Sequence, residues 1–199
     1  MNVEALNTEI LLSAYVQGFF PMAHSEKELV WYNPDPRAII PLENYSPSKS
    51  MRSILRKNNF QIRLNTSFRE VMKQCSKPRD KDDGQWINTT MVEEYSKLNQ
   101  LGFAHSVEVF EENVLTGGLY GVHIGGAFFG ESMYHHKPNA SKIAFHYLIE
   151  ILRKNGFQLL DTQFINDNVK RFGAIEISKK SYLKLLEKAM ERQQRFSLD

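Results

Sequence analysis

Residues 104–134 constrain the fold of this chain more than any other segment. The run 104–110 alternates apolar and polar side chains in steps of two, which is the period of a β-strand. Runs 114–123 and 127–134 have the composition of two further strands around Gly125-Gly126. Six of the eleven glycines lie between 117 and 130, and glycine within a strand marks a bulge or the close approach of another backbone or a ligand. The segment predicts an antiparallel meander.

A helix, a strand and a second helix are expected after the meander. Residues 140–155 have helical periodicity, with Asn139 as the expected N-cap and Gly156 as the stop. Run 157–161 is almost entirely apolar, which favours a central strand, and 178–195 is an amphipathic helix. This order predicts a mixed α+β layer structure. It resembles the acyltransferase fold of the GNAT superfamily, in which one strand splays away from its neighbour and opens a cleft.

The amino-terminal half combines short helices with an extended segment. Five of the seven prolines lie between positions 21 and 47, where the missing N–H and the clash with the preceding turn exclude a long helix. We interpret this segment as an extended connector. A short amphipathic helix is expected before it, at 8–17, and Gly18 ends that helix. The other expected elements are helices at 48–57, 67–76 and 90–101 and a strand at 60–64.

Size and composition exclude several classes of protein. A chain of 199 residues and 23.1 kDa is expected to form one domain, or one domain with a small appendage, around a full hydrophobic core. Its single cysteine, Cys75, excludes a disulfide scaffold and a multi-cysteine zinc site, and the six histidines show no metal-ligand spacing. The stretch 10–22 is too short to cross a bilayer and has no basic region before it. We therefore expect a cytoplasmic protein without a metal.

Positive charge is concentrated in one segment. Residues 49–81 contain ten basic side chains against two acidic ones, a net charge of +8 in a chain whose total is +2. Such asymmetry favours a polyanionic partner such as nucleic acid, although a solvated helix face is the usual explanation of a charge run. The basic residues are Lys49, Arg52, Arg56, Lys57, Arg63, Arg69, Lys73, Lys77, Arg79 and Lys81.

Polar side chains at the ends of two predicted strands are the candidates for chemistry. Glu131 lies near the end of 127–134 among apolar residues, where it could bind an ammonium group or act as an acid or base with a raised pKa. Asp161 ends the apolar strand, and Gln163 lies on the same face two positions later. The pair could hold and orient an attacking amine. The structural alternatives are a solvent-exposed Glu at a strand edge and an Asp that caps the next turn.

Aromatic residues and missing motifs add weaker constraints. Trp31 and Tyr32, in WYNPDPR, could stack on bases or ribose or pack the connector against the core. Trp86, directly after the basic segment, is either a core residue or a platform beside a polyanion. The chain has no P-loop, and the helix at 140–155 lacks the glycine-rich entry that cradles the pyrophosphate of coenzyme A. This absence counts against an ordinary acetyl-CoA enzyme.

Seven blocks of sequence carry a family resemblance. In order they are LLSAYVQGFFPM, WYNPDPRAIIPL, GQWI, GFAHSVEVF, GGLYGVHIGGAFFGESM, NASKIA and LLDTQF. Together they resemble the leucyl/phenylalanyl-tRNA–protein transferase family from about Leu11 to Leu186. The resemblance implies a GNAT-like catalytic domain at 37–199 behind a small, truncated N-terminal domain at 1–36. It also implies transfer of Leu or Phe from its tRNA to the N-terminal amine of proteins beginning with Lys or Arg, which marks them for the bacterial N-degron pathway, with no metal or coenzyme.

The resemblance also implies roles for individual residues. Asp161 and Gln163 match positions proposed to orient and deprotonate the amine, and Glu131 matches a residue at the aminoacyl pocket. The apolar pocket is implied at or near Leu119, Phe128, Leu148 and Leu160. The implied positions around the tRNA 3′-adenosine are Tyr15, Met22, Trp86 and Tyr95. The basic residues of 49–81 would bind tRNA phosphates and make binding salt-dependent.

The sequence departs from the family pattern in three places. Its start is short, so we expect the small N-terminal domain to be reduced to one helix and the connector. Met22 stands where the family often has tryptophan, which weakens the expectation of adenine stacking there. After LLDTQF the family usually has a histidine and then SLGA, whereas this chain reads NDNVKRFGA, with Asn168 and Arg171-Phe172. The sequence therefore does not decide the structure of the loop that closes over the site or the choice of acceptor.

Two other functions remain as alternatives. The first is a GNAT-fold N-acetyltransferase that uses acetyl-CoA on a small amine, and the missing pyrophosphate loop argues against it. The second is a non-enzymatic tRNA-binding protein that keeps the fold, and the presence of Asp161, Gln163 and Glu131 argues against it. A monomer is the family expectation.

Overall fold

The computed structural model describes residues 6–57, 59–78 and 86–198. The helices are α1 (Thr8–Val16), α2 (Lys49–Lys57), α3 (Phe68–Cys75), α4 (Thr89–Gln100), α5 (Ala140–Lys154), α6 (Asp167–Arg171) and α7 (Lys179–Met190), with a 3₁₀ turn at Leu42–Asn44. The strands are β1 (Phe20–Ala23), β2 (Leu29–Tyr32), β3 (Arg37–Ile39), β4 (Gln61–Leu64), β5 (Ala104–Glu111), β6 (Val114–Ile124), β7 (Ala127–His135), β8 (Leu159–Gln163) and β9 (Ile175–Ile177).

Within the described residues, seven strands form one sheet in the order β4-β5-β6-β7-β8-β3-β9. All of its neighbouring pairs are antiparallel except β7 and β8. Strands β1 and β2 form a separate antiparallel pair. The expected α+β class, a mixed and mostly antiparallel sheet with flanking helices, is confirmed, and so is the meander of β5, β6 and β7. No helix in this part of the chain is both long and apolar enough to cross a membrane.

The sheet separates two hydrophobic clusters. Tyr120 and Phe129 belong to a cluster that includes buried side chains of α1, α3, α4 and α7, whereas Leu119 and Phe128 belong to a second cluster with α2 and α5. Successive side chains of a strand point to opposite faces. Helices α1, α3, α4 and α7 therefore cover one face of the sheet, and α2 and α5 cover the other.

Strands β6 and β7 of the meander pair through a bulge. The register of β6 with β7 shifts between Tyr120 and Gly121, and a Cβ at Gly121 would overlap the carbonyl oxygen of Phe129. A glycine is therefore required for the two strands to approach this closely.

The two parallel strands separate soon after they meet. Strand β7 pairs with β8 at three positions, Ala127 with Leu159, Phe128 with Leu160 and Phe129 with Asp161. Beyond them, β7 continues beside β6 to His135, while the end of β8 pairs with β3 on its other side. This divergence is the splay that the GNAT-like order predicts. It opens a cleft in the middle of the sheet at the carboxyl ends of β7 and β8.

Three local predictions were incomplete or wrong. The proline-rich segment contains β1, β2 and β3, and β3 pairs with both β8 and β9. Pro36 and Pro41 flank β3 rather than interrupt it, so its N–H groups remain free to pair. Helix α7 ends at Met190 rather than near 195, in a turn where the Ala189 carbonyl accepts from the N–H groups of Arg192 at 3.2 Å and Gly126 at 2.7 Å. Asn139 has a left-handed φ of 72° and, in the described region, makes no side-chain capping bond.

Candidate active site

The splay between β7 and β8 contains a cavity of about 220 Å³. This is below the ~300 Å³ at which typical small-molecule clefts begin, and it suits a group the size of one side chain. Its walls mix apolar residues of β6, β7, α5 and α6 with polar residues at the ends of β7 and β8. The lining residues are Met22, Trp86, Leu119, Tyr120, Gly130, Glu131, Ser132, Met133, Phe145, Leu148, Thr162, Gln163, Phe164, Asn166, Asn168 and Val169.

Glu131 is the one lining residue that carries a carboxyl group, within the part of the chain that the structure describes. Its Oε1 accepts hydrogen bonds from the hydroxyl of Tyr15 at 2.7 Å and from Nε2 of Gln163 at 2.9 Å. Its Oε2 is buried and has no partner among the described residues. Burial raises the pKa of Glu131 to about 7, although both hydrogen bonds favour the charged form. The cleft therefore holds a carboxyl that can gain or lose a proton near neutral pH.

Two buried tyrosines orient Glu131 from the α1 and α4 side. The hydroxyl oxygens of Tyr15 and Tyr95 are 2.5 Å apart. Since Tyr15 donates its proton to Glu131, Tyr95 must donate to Tyr15. Burial raises the pKa of both hydroxyls well above the ordinary value, so both remain protonated donors. Both side chains are fully buried, so neither ring presents a face on which an adenine could stack.

Asp161 is fully buried in an ion pair with Arg37. Nε of Arg37 donates to Oδ1 at 2.9 Å, and Nη2 donates to Oδ2 at 2.5 Å. The hydroxyl of Tyr182 donates to Oδ2 at 2.8 Å, and the backbone N–H of Gln163 donates to Oδ1 at 2.8 Å. Burial lowers the pKa of Arg37, but the charge of Asp161, its hydrogen bonds and the neighbouring ionisable groups together raise it more, and the net shift is upward. Each oxygen of this carboxylate thus accepts two hydrogen bonds.

Gln163 connects the two carboxyl groups. Its backbone has a φ of 65°, a left-handed conformation that costs free energy for any residue other than glycine. The N–H of Gln163 bonds to Asp161, and its side chain bonds to Glu131. The strained end of β8 is therefore held from both sides, and this fixes the direction of the amide in the cleft.

The remaining predicted residues divide between the cleft and the core. Leu119 and Leu148 line the cavity, as do the partly exposed side chains of Met22 and Trp86. Phe128 and Leu160 are fully buried in the α5-side cluster.

Sequence reasoning missed Arg37, Tyr182 and two polar groups of the lining. The hydroxyls of Tyr120 and Thr162 are buried and, as far as the described residues extend, have no hydrogen-bond partner. Thr162 lies between Asp161 and Gln163 in the block LLDTQF and was therefore within reach of the motif argument. Arg37 and Tyr182 gave no signal, because they lie 124 and 21 residues from Asp161 in sequence.

The basic segment does not form one surface. Lys49, Arg52, Arg56 and Lys57 are exposed on α2, while Arg69 and Lys73 are exposed on α3, across the sheet. Arg63 is half-buried, and its guanidinium lies 4.2 Å from the centre of the Phe110 ring. Lys77 is exposed just after α3. Arg79 and Lys81 lie outside the described residues.

Two family models match the chain. The model described as leucyl/phenylalanyl-tRNA protein transferase matches residues 39–187. The model described as the N-terminal domain of leucyl/phenylalanyl-tRNA protein transferase matches residues 4–35.

Similar proteins named leucyl/phenylalanyl-tRNA–protein transferase occur in several bacteria. One from Chlorobium limicola is 46% identical over 183 residues, covering 92% of this chain and 94% of that protein. One from Akkermansia muciniphila is 46% identical over 192 residues, covering 96% and 99%. One from Pseudoalteromonas atlantica is 42% identical over 186 residues, covering 94% of this chain and 80% of that protein.

Solved structures show more distant likeness. L-PGS from Bacillus licheniformis has a TM-score of 0.44 at 14% identity, covering 82% of this chain and 55% of that chain. A ribosomal-protein-alanine N-acetyltransferase from Brucella melitensis has a TM-score of 0.39 at 12% identity, covering 56% and 86%.

Proposed function

The chain belongs to the leucyl/phenylalanyl-tRNA protein transferase family, and we propose that it moves Leu or Phe from aminoacyl-tRNA to the N-terminal amine of proteins that begin with Lys or Arg. The product carries a new N-terminal residue that marks the protein for degradation. The observation that carries the proposal is the splayed cleft, where an apolar cavity meets an oxygen of Glu131 that has no partner among the described residues.

The apolar walls of the cleft support Leu and Phe as the transferred groups. Leu119, Met133, Phe145 and Leu148 offer contacts to a hydrocarbon side chain. A polar aminoacyl side chain packed against these four residues would lose its water without a compensating hydrogen bond from them, which disfavours it. One methylene changes binding by only about 1–3 kcal/mol in an apolar pocket, so a pocket of this kind can accept both Leu and Phe.

The reaction needs an unprotonated amine and a place for its proton. The ester of aminoacyl-tRNA is already activated, so no nucleoside triphosphate is required. The amine has a reference pKa of roughly 8 and must attack as the free base. A C–N bond then forms, the ester C–O bond breaks, the nitrogen loses one proton, and the ribose oxygen takes one up.

We assign the proton transfer to Glu131 and the orientation of the site to Asp161 and Gln163. Oε2 of Glu131 is unpartnered among the described residues, and the pKa of about 7 is matched to proton transfer near neutral pH. Asp161 already accepts four hydrogen bonds, so it is better suited to hold Gln163 than to accept a proton. Gln163 in turn directs its amide toward Glu131.

The finer assignments are part of the same proposal. Met22 and Trp86, at the edge of the cavity, would contact the terminal adenosine, and the exposed cations of α2 and α3 would contact tRNA phosphates. We propose a division into a reduced N-terminal domain at 1–36 and a catalytic domain at 37–199, which the spans of the two family models support. We also propose a monomer that acts in the cytoplasm, where its tRNA donor is found.

A transfer assay tests the proposal. The purified protein would be mixed with radiolabelled Leu-tRNA, Phe-tRNA or Asp-tRNA and with peptides that begin with Arg, Lys, Ala or Asp. We expect label to move from Leu-tRNA and Phe-tRNA to the Arg and Lys peptides, and to no other pair. Transfer to the Asp peptide would overturn the acceptor assignment, and no transfer to any peptide would overturn the function.

A further inference from the structure

A second and larger cavity, the basic groove, lies beside the cleft. Its volume is about 750 Å³. It is formed by the segment before α2, the end of α3, the carboxyl end of β7, the first turn of α5, and α6. The groove and the cleft share two lining residues, Met133 and Asn168. A polymer with one end in the cleft can therefore continue into the groove.

Within the described residues, the charge of the basic groove has a single sign. Its charged lining residues are Lys77, Lys142 and Arg171, and the described lining contains no carboxylate. All three cations are exposed, and none forms an ion pair with another described residue. Lys142 donates one hydrogen bond, to Oδ1 of Asn139 at 3.3 Å. Three unpaired cations in one concave surface attract an anion.

The wall of the groove also contains hydrogen-bonding atoms without a partner. Tyr134 is 8% exposed, and its hydroxyl is buried with no partner in the described part of the chain. Burial raises the pKa of this hydroxyl, so it remains a donor. A phosphate oxygen is an acceptor that could satisfy it. The Oε1 atom of Gln74, which also lines the groove and has no partner among the residues described, is an acceptor and could bind a ribose hydroxyl but not a phosphate oxygen.

We propose that the basic groove binds the backbone phosphates of the single-stranded 3′ end of tRNA, next to the terminal adenosine. This inference rests on the proposed function, because it takes the aminoacyl end to lie in the cleft. An acceptor protein that begins with Lys or Arg would be repelled by Lys77, Lys142 and Arg171. The cations of the groove therefore favour the RNA over the acceptor.

The basic groove includes residues that distinguish this chain from the family pattern. Asn168 and Arg171 both lie in the segment NDNVKRFGA, where the family usually has a histidine and SLGA, and both line the groove. Part of the positive charge is thus particular to this sequence. The altered segment would then change the affinity for the tRNA donor rather than the choice of acceptor.

Donors of increasing length test the proposal. Leucyl-adenosine has no phosphodiester, whereas leucyl-CpA and leucyl-CpCpA have one and two, and each would be assayed with the same Arg peptide. For the wild type we expect KM to fall with each added phosphodiester. The double variant Lys142→Ala/Arg171→Ala should lose that gain, with KM for leucyl-CpCpA raised about tenfold and the kinetics with leucyl-adenosine unchanged.

A matched variant and three outcomes separate the explanations. Lys184→Ala/Lys188→Ala removes the same charge from the exposed side of α7 and should change none of these values. An equal loss with all three donors, or no loss with any, would overturn the proposal. A rise in KM for the peptide instead of the donor would also overturn it. Failure of the proposed function would give a different result from failure of the groove proposal, because the wild type would then transfer leucine from no donor at all.

Discussion

At the scale of single residues, the cleft is organised around two buried carboxyl groups in opposite situations. Asp161 is paired with Arg37 and accepts two further hydrogen bonds. Glu131 has one satisfied oxygen and one unpartnered oxygen within the described structure. The neighbouring ionisable groups are the protonated hydroxyls of Tyr15, Tyr95 and Tyr120 and the Arg37–Asp161 pair. This difference is the reason why we assign the proton transfer to Glu131 rather than to Asp161.

The raised pKa of Glu131 predicts how stability changes with pH. The folded-state pKa of about 7 exceeds the reference value of 4.5, so between these values the folded protein binds more protons and its stability falls as pH rises. At 1.36 kcal/mol per pKa unit, the loss above pH 7 is at most about 3 kcal/mol relative to pH 4. Urea unfolding of the wild type and of Glu131→Gln would give the free energy of unfolding at each pH. We expect the free energy of unfolding of the wild type, relative to that of the variant, to fall as pH rises from about 4.5 to about 7. A difference that is constant between pH 4 and pH 8 would contradict the burial effect.

The ion pair of Asp161 predicts a large cost for losing Arg37. The variant Arg37→Met keeps most of the side-chain volume but leaves Asp161 buried without its cation, which costs about 3–5 kcal/mol. The exposed Arg69 on α3 provides the matched control Arg69→Met, for which we expect less than about 0.5 kcal/mol. Urea unfolding at pH 7 measures both. Similar small losses in the two variants would show that the pair does not stabilise the fold.

The sequence identified the ends of the two strands but not their surroundings. Glu131, Asp161 and Gln163 were found because a polar residue that ends an apolar strand needs an explanation. The partners of Asp161 were not found, because Arg37 and Tyr182 reach it only through the pairing of β3 with β8 and the packing of α7. The contact of Tyr15 with Glu131 and of Tyr95 with Tyr15 was also not found, because it depends on how α1 and α4 pack against the sheet, which local sequence does not determine.

At the scale of elements, the arrangement that matters is the short pairing of β7 with β8. The sequence predicted both strands and the meander, since hairpin pairing follows from chain order. It did not predict that β3 inserts between β8 and β9, because that contact joins residues far apart in sequence and composition favoured an extended connector. The position of β3 matters for the site, because it draws the end of β8 away from β7.

The two helices of the basic segment, α2 and α3, allow a test at the scale of elements. Helix α2 has four cations and no acidic residue, whereas α3 has Arg69 and Lys73 beside Glu70. We therefore expect α2 to contribute more to tRNA binding. Arg52→Ala/Arg56→Ala should reduce the slope of log affinity against log salt by about 0.7–0.9 for each phosphate that the variant no longer neutralises. Filter binding of tRNA across a series of salt concentrations measures the slope.

The opposite face of the sheet supplies the control for that test. Arg69→Ala/Lys73→Ala removes the same charge from α3, and we expect a smaller change in the slope. If both pairs change the slope equally, the tRNA contacts both faces. If neither does, the charge run is a solvated surface and the tRNA is held elsewhere.

At the scale of the whole molecule, two neighbouring cavities differ in size and in charge. The cleft is small and largely apolar, and the basic groove is larger and positively charged. Both lie at the carboxyl end of β7, where the splay interrupts the sheet. Aminoacyl-tRNA has the same division, with an apolar group at the end of a polyanion. The proposed placement of the donor, with its aminoacyl group in the cleft and its phosphates in the basic groove, follows this division.

The central claim is that Glu131, in the splayed cleft, takes the proton of the attacking amine. Its most direct test is the single-turnover rate of transfer from Leu-tRNA to an Arg peptide between pH 5.5 and pH 8. Below pH 7 the wild type requires two deprotonated groups, the amine and Glu131, so log rate should rise with a slope of two. Glu131→Gln should be slower by about 10²–10⁴ with a slope of one, while the exposed control Glu150→Gln should match the wild type. Equal slopes in the wild type and in Glu131→Gln, or an unchanged rate in that variant, would contradict the account.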